Sequence, residues 1–129
     1  HNGDPVTAQD FKWSFERAAH PNTASAVAET YLNDIVGAKD YLDGLADEMS
    51  GLKVIDDRTL QITIDAPKAY FLAKMTYPTA YVLNRDVVEA GGRDWWIDDP
   101  VGTGPFRLAE YRIGEIHPSH LIAVGAKSL

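Results

Sequence analysis

The chain has 129 residues, of which 45% are hydrophobic and 24% charged, and its formal net charge is -7. This mixture is typical of one globular domain, and the negative charge disfavours nucleic acid and anionic membranes as partners, because both attract clustered Lys and Arg. The absence of cysteine excludes disulfides and thiolate chemistry, and no apolar run approaches the roughly 20 residues that cross a bilayer.

The first predicted helix has both of its ends marked in the sequence. Thr7 followed by Asp10 is an aspartate version of the capping box, and Pro21 predicts that the helix stops after His20. Apolar residues recur between these points at helical spacing. We therefore expect Phe11 and Phe15 to face the core.

Two further helices and a hairpin are predicted next along the chain. Residues 26–32 and 35–42 have helical patterns, the second of them ended by a glycine. A polar turn at 56–58 separates two apolar segments, and strict alternation over 60–64 indicates a half-buried strand. Pro67 closes that strand because proline cannot donate to a ladder.

Short elements continue to the end of the chain. We predict a helix over 69–75, a buried strand over 80–83, a helix over 86–90 that two glycines end, and a strand over 106–111. Mixed short helices with one strong hairpin favour an α+β fold, a small sheet with several short helices, over regular βαβ winding.

A glycine-rich segment, PVGTGPF, raises the question of a phosphate site. A phosphate loop needs a helix after its glycines, and here the glycines are followed by proline and strand-like residues. We predict a structural turn in which the glycines adopt backbone angles that other residues avoid and the proline fixes strand entry. The turn consists of Gly102, Thr103, Gly104 and Pro105.

Other pairs of polar side chains give weak signals of chemistry. His117 and His120 flank a proline and lack a third ligand at a sensible spacing, so we predict no metal and no cofactor. The aspartate pairs at 56–57 and 98–99 suggest a hydrolase with two carboxylates. Adjacent aspartates usually point apart, and no nucleophile with its base completes such a site.

Trp95 and Trp96 are adjacent. Two indoles cannot both enter one core easily if the segment is extended, so one of them is expected near the surface. This leaves a free-standing interaction domain as an alternative function.

The segments NGDPVTAQDFKWSFERA, DDRTLQITIDAPKAYFLAKM and PVGTGPFRLAEY follow one another along the chain. In this order they resemble the solute-binding proteins of oligopeptide and dipeptide ABC transporters, family 5 of the bacterial extracellular solute-binding proteins. NGDPVTAQDFKWSFERA resembles the family's segment N-G-x-P-[VL]-T-A-x-D with the helix that follows it. DDRTLQITIDAPKAYFLAKM and PVGTGPFRLAEY resemble two further blocks of that family. The resemblance runs to about residue 116 and is lost in HPSHLIAVGAKSL.

The resemblance implies that the chain is a fragment of a protein with two lobes that close over a solute. Residues 1–116 would form a subdomain of the first lobe, of the type II periplasmic-binding-protein kind, and 117–129 a divergent or artificial tail. The glycine-rich turn would return the chain to the sheet.

The implied function is binding, not catalysis. The longer parent would capture a peptide, or another small solute such as a nickel chelate, haem or a sugar, in the periplasm or outside the cell. It would deliver the solute to a membrane permease, and a missing N-terminal part could carry a lipid anchor. We expect any contact with solute on the loop between the first two helices. The expected rim residues are Asn22, Thr23, Ser25 and Val27.

Overall fold

The computed structural model describes residues 1–98, 100–108 and 121–123 and divides the chain into two compact units. The larger unit is Val6–Val82. The other joins His1–Pro5 to the described residues from Leu83 onward.

Helix α1, Ala8–Ala19, opens the larger unit and has the predicted cap. The backbone N–H and the hydroxyl of Thr7 both donate to Asp10 Oδ2, at 2.7 and 2.8 Å. Phe15 is 4% exposed, as expected of a core residue, but Phe11 is 37% exposed. The prediction for Phe11 is wrong because this side chain, one turn nearer the helix start, lies outside the core cluster that contains Phe15.

The next two helices are shorter than predicted. Helix α2 spans Ala28–Leu32 and helix α3 spans Ala38–Leu42. Between them Ile35 pairs with Ile64 in an isolated antiparallel bridge, and Gly37 precedes α3 with a φ of 79°. The bridge takes Ile35 out of the helix that its sequence pattern predicts.

The predicted hairpin is present. Strand β1, Leu52–Asp56, pairs antiparallel with β2, Thr59–Ile62, in a register that places Leu52 opposite Ile62. Leu60 and Ile62 are half-buried and alternate with exposed residues. The alternation in the sequence therefore identified the face that packs on the core.

The last segment of this unit differs from the prediction. Helix α4 spans Phe71–Lys74, and a 3-10 helix follows at Pro78–Ala80. No strand forms over 80–83, all of which are described, and the predicted buried strand is wrong. The 3-10 helix buries Ala80 but leaves Tyr81 exposed, so the short apolar run does not act as a buried strand.

One hydrophobic core holds the larger unit together. Its largest fully buried side chains come from the loop after α2, from α2 itself and from the segment before β1. They are Leu32, Ile35 and Met49.

A closed ring of backbone hydrogen bonds joins three segments beside this core. Val36 N–H donates to Thr63 O at 3.0 Å, Thr63 N–H to Gly51 O at 2.8 Å, and Gly51 N–H to Val36 O at 2.8 Å. A Cβ on Gly51 would lie 2.7 Å from Thr63 O and 2.8 Å from Val36 O. Only glycine fits at this position without displacing backbone.

The other unit contains helices α5, Arg85–Gly91, and α6, Trp95–Asp98, with a 3-10 helix, Gly92–Asp94, between them. Asn84 caps α5, since its Oδ1 accepts from Val87 N–H at 3.1 Å. The predicted helix over 86–90 is thus confirmed. Its end is marked by Gly92, at a φ of 59°.

Strand β3, Phe106–Leu108, pairs antiparallel with β4, Leu121–Ala123, in the same unit. The predicted strand is confirmed for Phe106–Leu108, and its remaining residues, 109–111, lie outside the described part of the chain. Short helices with small antiparallel sheets confirm the α+β class. Within the described residues, every helix is too short or too polar to cross a membrane.

Candidate functional site

The loop between α1 and α2, residues 20–27, carries all four predicted rim residues; we call it the rim loop. Its first half is the 3-10 helix Pro21–Thr23. Asn22 N–H donates to His20 Nδ1 at 3.1 Å, and the Thr23 hydroxyl donates to Arg17 O at 2.6 Å. These local bonds fix the loop against the end of α1.

The second half of the rim loop turns the chain into α2. Ala24 has φ 50° and ψ 41°, a left-handed conformation that residues with a Cβ rarely adopt. Ser25 Oγ then accepts from Ala28 N–H at 3.2 Å and satisfies one of the free donors at the start of α2. Val27 is 37% exposed.

The rim loop borders a shallow depression of about 190 Å³. The wall is built from the end of α1, the loop, the start of α2 and the last residue of α3. The lining residues are Ala18, Ala19, His20, Pro21, Ala24, Ser25, Ala28 and Leu42. The structure thus brings Asn22, Thr23, Ser25 and Val27 onto one surface loop, and their contact with a solute stays a prediction.

The rim loop is chemically neutral apart from one imidazole. Residues 21–28 include no acidic or basic side chain, and the only titratable group of the loop is His20, whose Nδ1 already accepts a hydrogen bond. Such a loop offers hydroxyls, amides and small apolar groups, which can bind a solute.

A buried ion cluster lies beyond α2 and was not detected in the sequence. Asp34 is 3% exposed. Its two carboxylate oxygens each lie 2.6 Å from a lysine ammonium, Oδ1 from Lys68 Nζ and Oδ2 from Lys74 Nζ. Lys68 also pairs with Asp65 at 2.8 Å. Lys68 and Lys74 are distant from Asp34 in sequence, so no local pattern predicts these two ion pairs.

The cluster changes the pKa of its members. Burial raises the pKa of Asp34, but hydrogen bonds and charge from Lys68 and Lys74 outweigh burial and hold the pKa below its usual range. The carboxylates of Asp34 and Asp65 in turn raise the pKa of Lys68. Asp34, Asp65 and Lys68 are therefore charged at neutral pH. The cluster ties α4 to the loop after α2.

An aromatic pair lies close to the same segments. The rings of Tyr31, on α2, and Tyr77, after α4, are stacked with centroids 3.7 Å apart and planes within 5°. Burial, and after it the charge and hydroxyl of Tyr77, raise the pKa of Tyr31. No local sequence pattern predicts this pair, because its members belong to different elements.

A larger apolar groove of about 580 Å³ runs between α1 and the hairpin. Most of its lining is aliphatic or aromatic. The lining residues are Val6, Thr7, Ala8, Phe11, Phe15, Asp57, Arg58, Leu60, Ile62, Met75 and Ala80. The groove contains a single acidic side chain, so it does not bring together the two carboxylates that a glycosidase-like site requires.

The glycine-rich turn immediately precedes β3, as predicted. Neither Gly102 nor Gly104 has a φ in the left-handed region, which corrects the expectation that these glycines adopt angles closed to other residues. A Cβ on Gly102 would make only an ordinary contact, 3.6 Å from His1, and one on Gly104 would meet nothing within 4 Å. The structural role of Gly102, Thr103, Gly104 and Pro105 stays a prediction.

The remaining candidates do not assemble into a site. Asp56 Oδ1 accepts from Arg58 N–H at 2.8 Å and so stabilises the hairpin turn. The side chain of Asp98 and all of Asp99, His117 and His120 lie outside the described residues. Among the residues that are described, no three His, Asp or Glu side chains are close enough to hold a metal ion.

The adjacent indoles lie on helix α6 and not on an extended segment. Trp96 is 52% exposed, while Trp95 is half-buried. One indole therefore lies near the surface, as predicted, because consecutive residues of a helix point about 100° apart.

Comparison with known proteins decides the family. Residues 1–117 match the sequence model of the bacterial extracellular solute-binding proteins, family 5 Middle. The chain belongs to this family. It is 35% identical over 118 residues to the periplasmic oligopeptide-binding protein OppA of Escherichia coli K12, a match that covers 88% of the chain and 22% of that protein. The dipeptide-binding protein DppE of Bacillus subtilis is 34% identical, with 86% of the chain and 21% of that protein covered.

A solved structure supports the same assignment. The Haemophilus influenzae OppA complex with RPPGFSPFR superposes with a TM-score of 0.80 at 34% identity, over 88% of this chain and 23% of that one. The family-5 chain thus spans about a fifth of the length of the relatives it matches. The resemblance found in the sequence is confirmed, and membership of a solute-binding family does not favour the hydrolase or the interaction domain.

Proposed function

We propose that these 129 residues are one part of a longer solute-binding protein that captures peptides for import by an ABC transporter. The match of residues 1–117 to the family carries the proposal. Relatives named for oligopeptide and dipeptide binding support peptide as the solute. The match ends at residue 117, which supports a boundary near 116 between the first-lobe subdomain and a tail.

Within that protein, the rim loop forms part of the edge of the solute cleft. Exposed amide and hydroxyl groups on a loop fixed by its own hydrogen bonds support this role. Such groups bind main-chain N–H and C=O of a peptide without selecting its charge. The core of the same unit then acts as a rigid support while the lobes close.

The protein acts by binding and has no catalytic activity of its own. The neutral rim loop and the single carboxylate in the apolar groove support this statement. The family's extracellular character supports a site of action in the periplasm or outside the cell. The proposal includes a lipid anchor in a part of the parent that precedes these residues. The permease of the transporter is then the membrane partner.

The decisive experiment uses the complete gene product that contains these residues. We expect isothermal calorimetry with a pool of di- to pentapeptides to give saturable binding near the micromolar range, about -8 kcal/mol. Mass spectrometry of the bound fraction should recover intact peptides. Binding of sugars or chelates with no response to peptides would overturn the peptide assignment, and cleaved peptides would overturn the assignment as a non-enzyme.

A further inference from the structure

The stacked tyrosines combine a fixed ring with an accessible one. Tyr31 is half-buried on α2, and its ring lies parallel to that of Tyr77 at 3.7 Å. Tyr77, immediately before the 3-10 helix Pro78–Ala80, is 38% exposed. The pair therefore presents aromatic surface to solvent from a position that packing has already fixed.

Val27 connects this pair to the rim loop. Val27 and Tyr31 are four residues apart, and Tyr31 N–H donates to Val27 O at 3.3 Å, so both side chains lie on the same side of α2. Val27 is as exposed as Tyr77. An apolar surface thus continues from the end of the rim loop to the tyrosines.

Helices α2 and α4, which carry or precede the tyrosines of this surface, each contain one charged side chain, the exposed Glu29 and the paired Lys74. Residues 21–28 include no charged side chain. The ammonium of Lys74 lies 2.6 Å from the buried Asp34 carboxylate and 3.3 Å from Asn33 Oδ1. A charged group placed against Val27 and the tyrosines would lose hydration. An acidic group there would pair with Lys74 only in competition with Asp34.

We propose that Val27, Tyr31 and Tyr77 form an apolar subsite that receives an uncharged aromatic or aliphatic side chain of a peptide solute. This tyrosine subsite rests on the proposed function, because it assumes that the rim loop borders the cleft. Aromatic rings favour offset or edge contacts with another ring, and such pairs contribute beyond the area they bury. The subsite selects against an acidic side chain at that position of the peptide, while the rim loop itself stays indifferent to charge.

The test is an NMR titration of the isotope-labelled chain with the tripeptides Ala-Phe-Ala and Ala-Asp-Ala, each to about 10 mM, since millimolar affinity corresponds to only about -4 kcal/mol. We expect Ala-Phe-Ala to shift the amides of Val27, Tyr31 and Tyr77 and to bind at least about 3-fold more tightly than Ala-Asp-Ala. Tyr77→Leu should weaken Ala-Phe-Ala by about 3- to 10-fold. Tyr81→Leu, at an exposed tyrosine of the same unit, is the matched control and should change nothing.

The outcomes distinguish a failure of the tyrosine subsite alone from a failure of the rim loop as a peptide contact. Shifts confined to the rim loop, equal for both peptides, would overturn the subsite and leave peptide binding intact. Absence of shifts in the rim loop and at both tyrosines would overturn the subsite together with the rim. If Tyr77→Leu does not fold, the presence or absence of Ala-Phe-Ala shifts at Val27, Tyr31 and Tyr77 of the unsubstituted chain still decides, since a net charge of -7 by itself disfavours Ala-Asp-Ala.

Discussion

Phe11 and Phe15 are one helical turn apart on α1, and their rings meet edge-on with centroids 6.5 Å apart. Both side chains line the groove, but only Phe15 belongs to the buried core, whereas Phe11 is exposed to solvent. Phe15→Ala should therefore lower the free energy of unfolding by about 3–5 kcal/mol, from lost burial and the cavity left behind.

Phe11→Ala is the matched comparison and should cost only about 1–2 kcal/mol, since a side chain that is partly in water loses less burial. Urea denaturation followed by circular dichroism measures both. Equal losses for the two variants would show that the groove side of α1 is closed in solution.

Gly51 is a second position where a single added carbon atom should change the stability of the fold. Because an added Cβ would meet backbone atoms of Val36 and Thr63 within 2.9 Å, Gly51→Ala should destabilise the chain by about 3 kcal/mol or more. Gly104→Ala is the control, since its Cβ would meet nothing within 4 Å, and it should change stability by less than about 0.5 kcal/mol. A Gly51→Ala protein with an unchanged thermal midpoint would contradict the close packing of these three segments.

At the scale of elements, the buried Asp34 carboxylate joins the loop after α2 to α4 through Lys68 and Lys74. Asp34→Asn leaves two ammonium groups without their buried counter-charge and should cost about 2–4 kcal/mol at pH 7. The folded pKa of Asp34 is below its unfolded value, so the stabilisation is complete above the unfolded pKa and is lost as pH falls through the folded one.

The difference in stability between the original chain and Asp34→Asn should thus shrink below about pH 4. Urea midpoints measured from neutral to acid pH test this. Glu16, whose pKa is raised by burial, titrates in both proteins and cancels in the comparison. A difference that is constant over the whole pH range would mean that Asp34 is not held as an ion.

Elements with local signals were predicted from the sequence, and those set by distant contacts were not. The capping box placed the start of α1, and alternation with a polar turn placed the hairpin. The helix predicted over 35–42 begins only at Ala38, because Ile35 pairs with Ile64 in a bridge. No local pattern predicts that bridge. Of the candidate site, the rim loop follows from the order of the helices, whereas the stack of Tyr31 on Tyr77 depends on tertiary packing.

At the scale of the whole molecule, the isolated chain should bind peptides only weakly. A solute enclosed by two lobes loses much of its buried surface when one wall is missing, and every 1.4 kcal/mol lost is about tenfold in affinity. Calorimetry of the 129 residues with the same peptide pool should give dissociation constants near or above about 1 mM. Saturable binding tighter than about 10 μM would show that the chain carries a complete site by itself.

The three hydrogen bonds that link Val36, Gly51 and Thr63 form a cycle, so each of these residues is both donor and acceptor to the others. Because the three bonds join the same three segments, we expect them to break in one cooperative opening. Hydrogen–deuterium exchange should therefore give the three amides a common, slow rate, well below that of the rim-loop amides. Rates that differ among them by more than about a hundredfold, near 3 kcal/mol, would show that the segments open one at a time. A common rate would mean that the hairpin and the loop after α2 open as one unit. Solvent would then reach the core of this unit only when the hydrogen bonds between these segments have all broken.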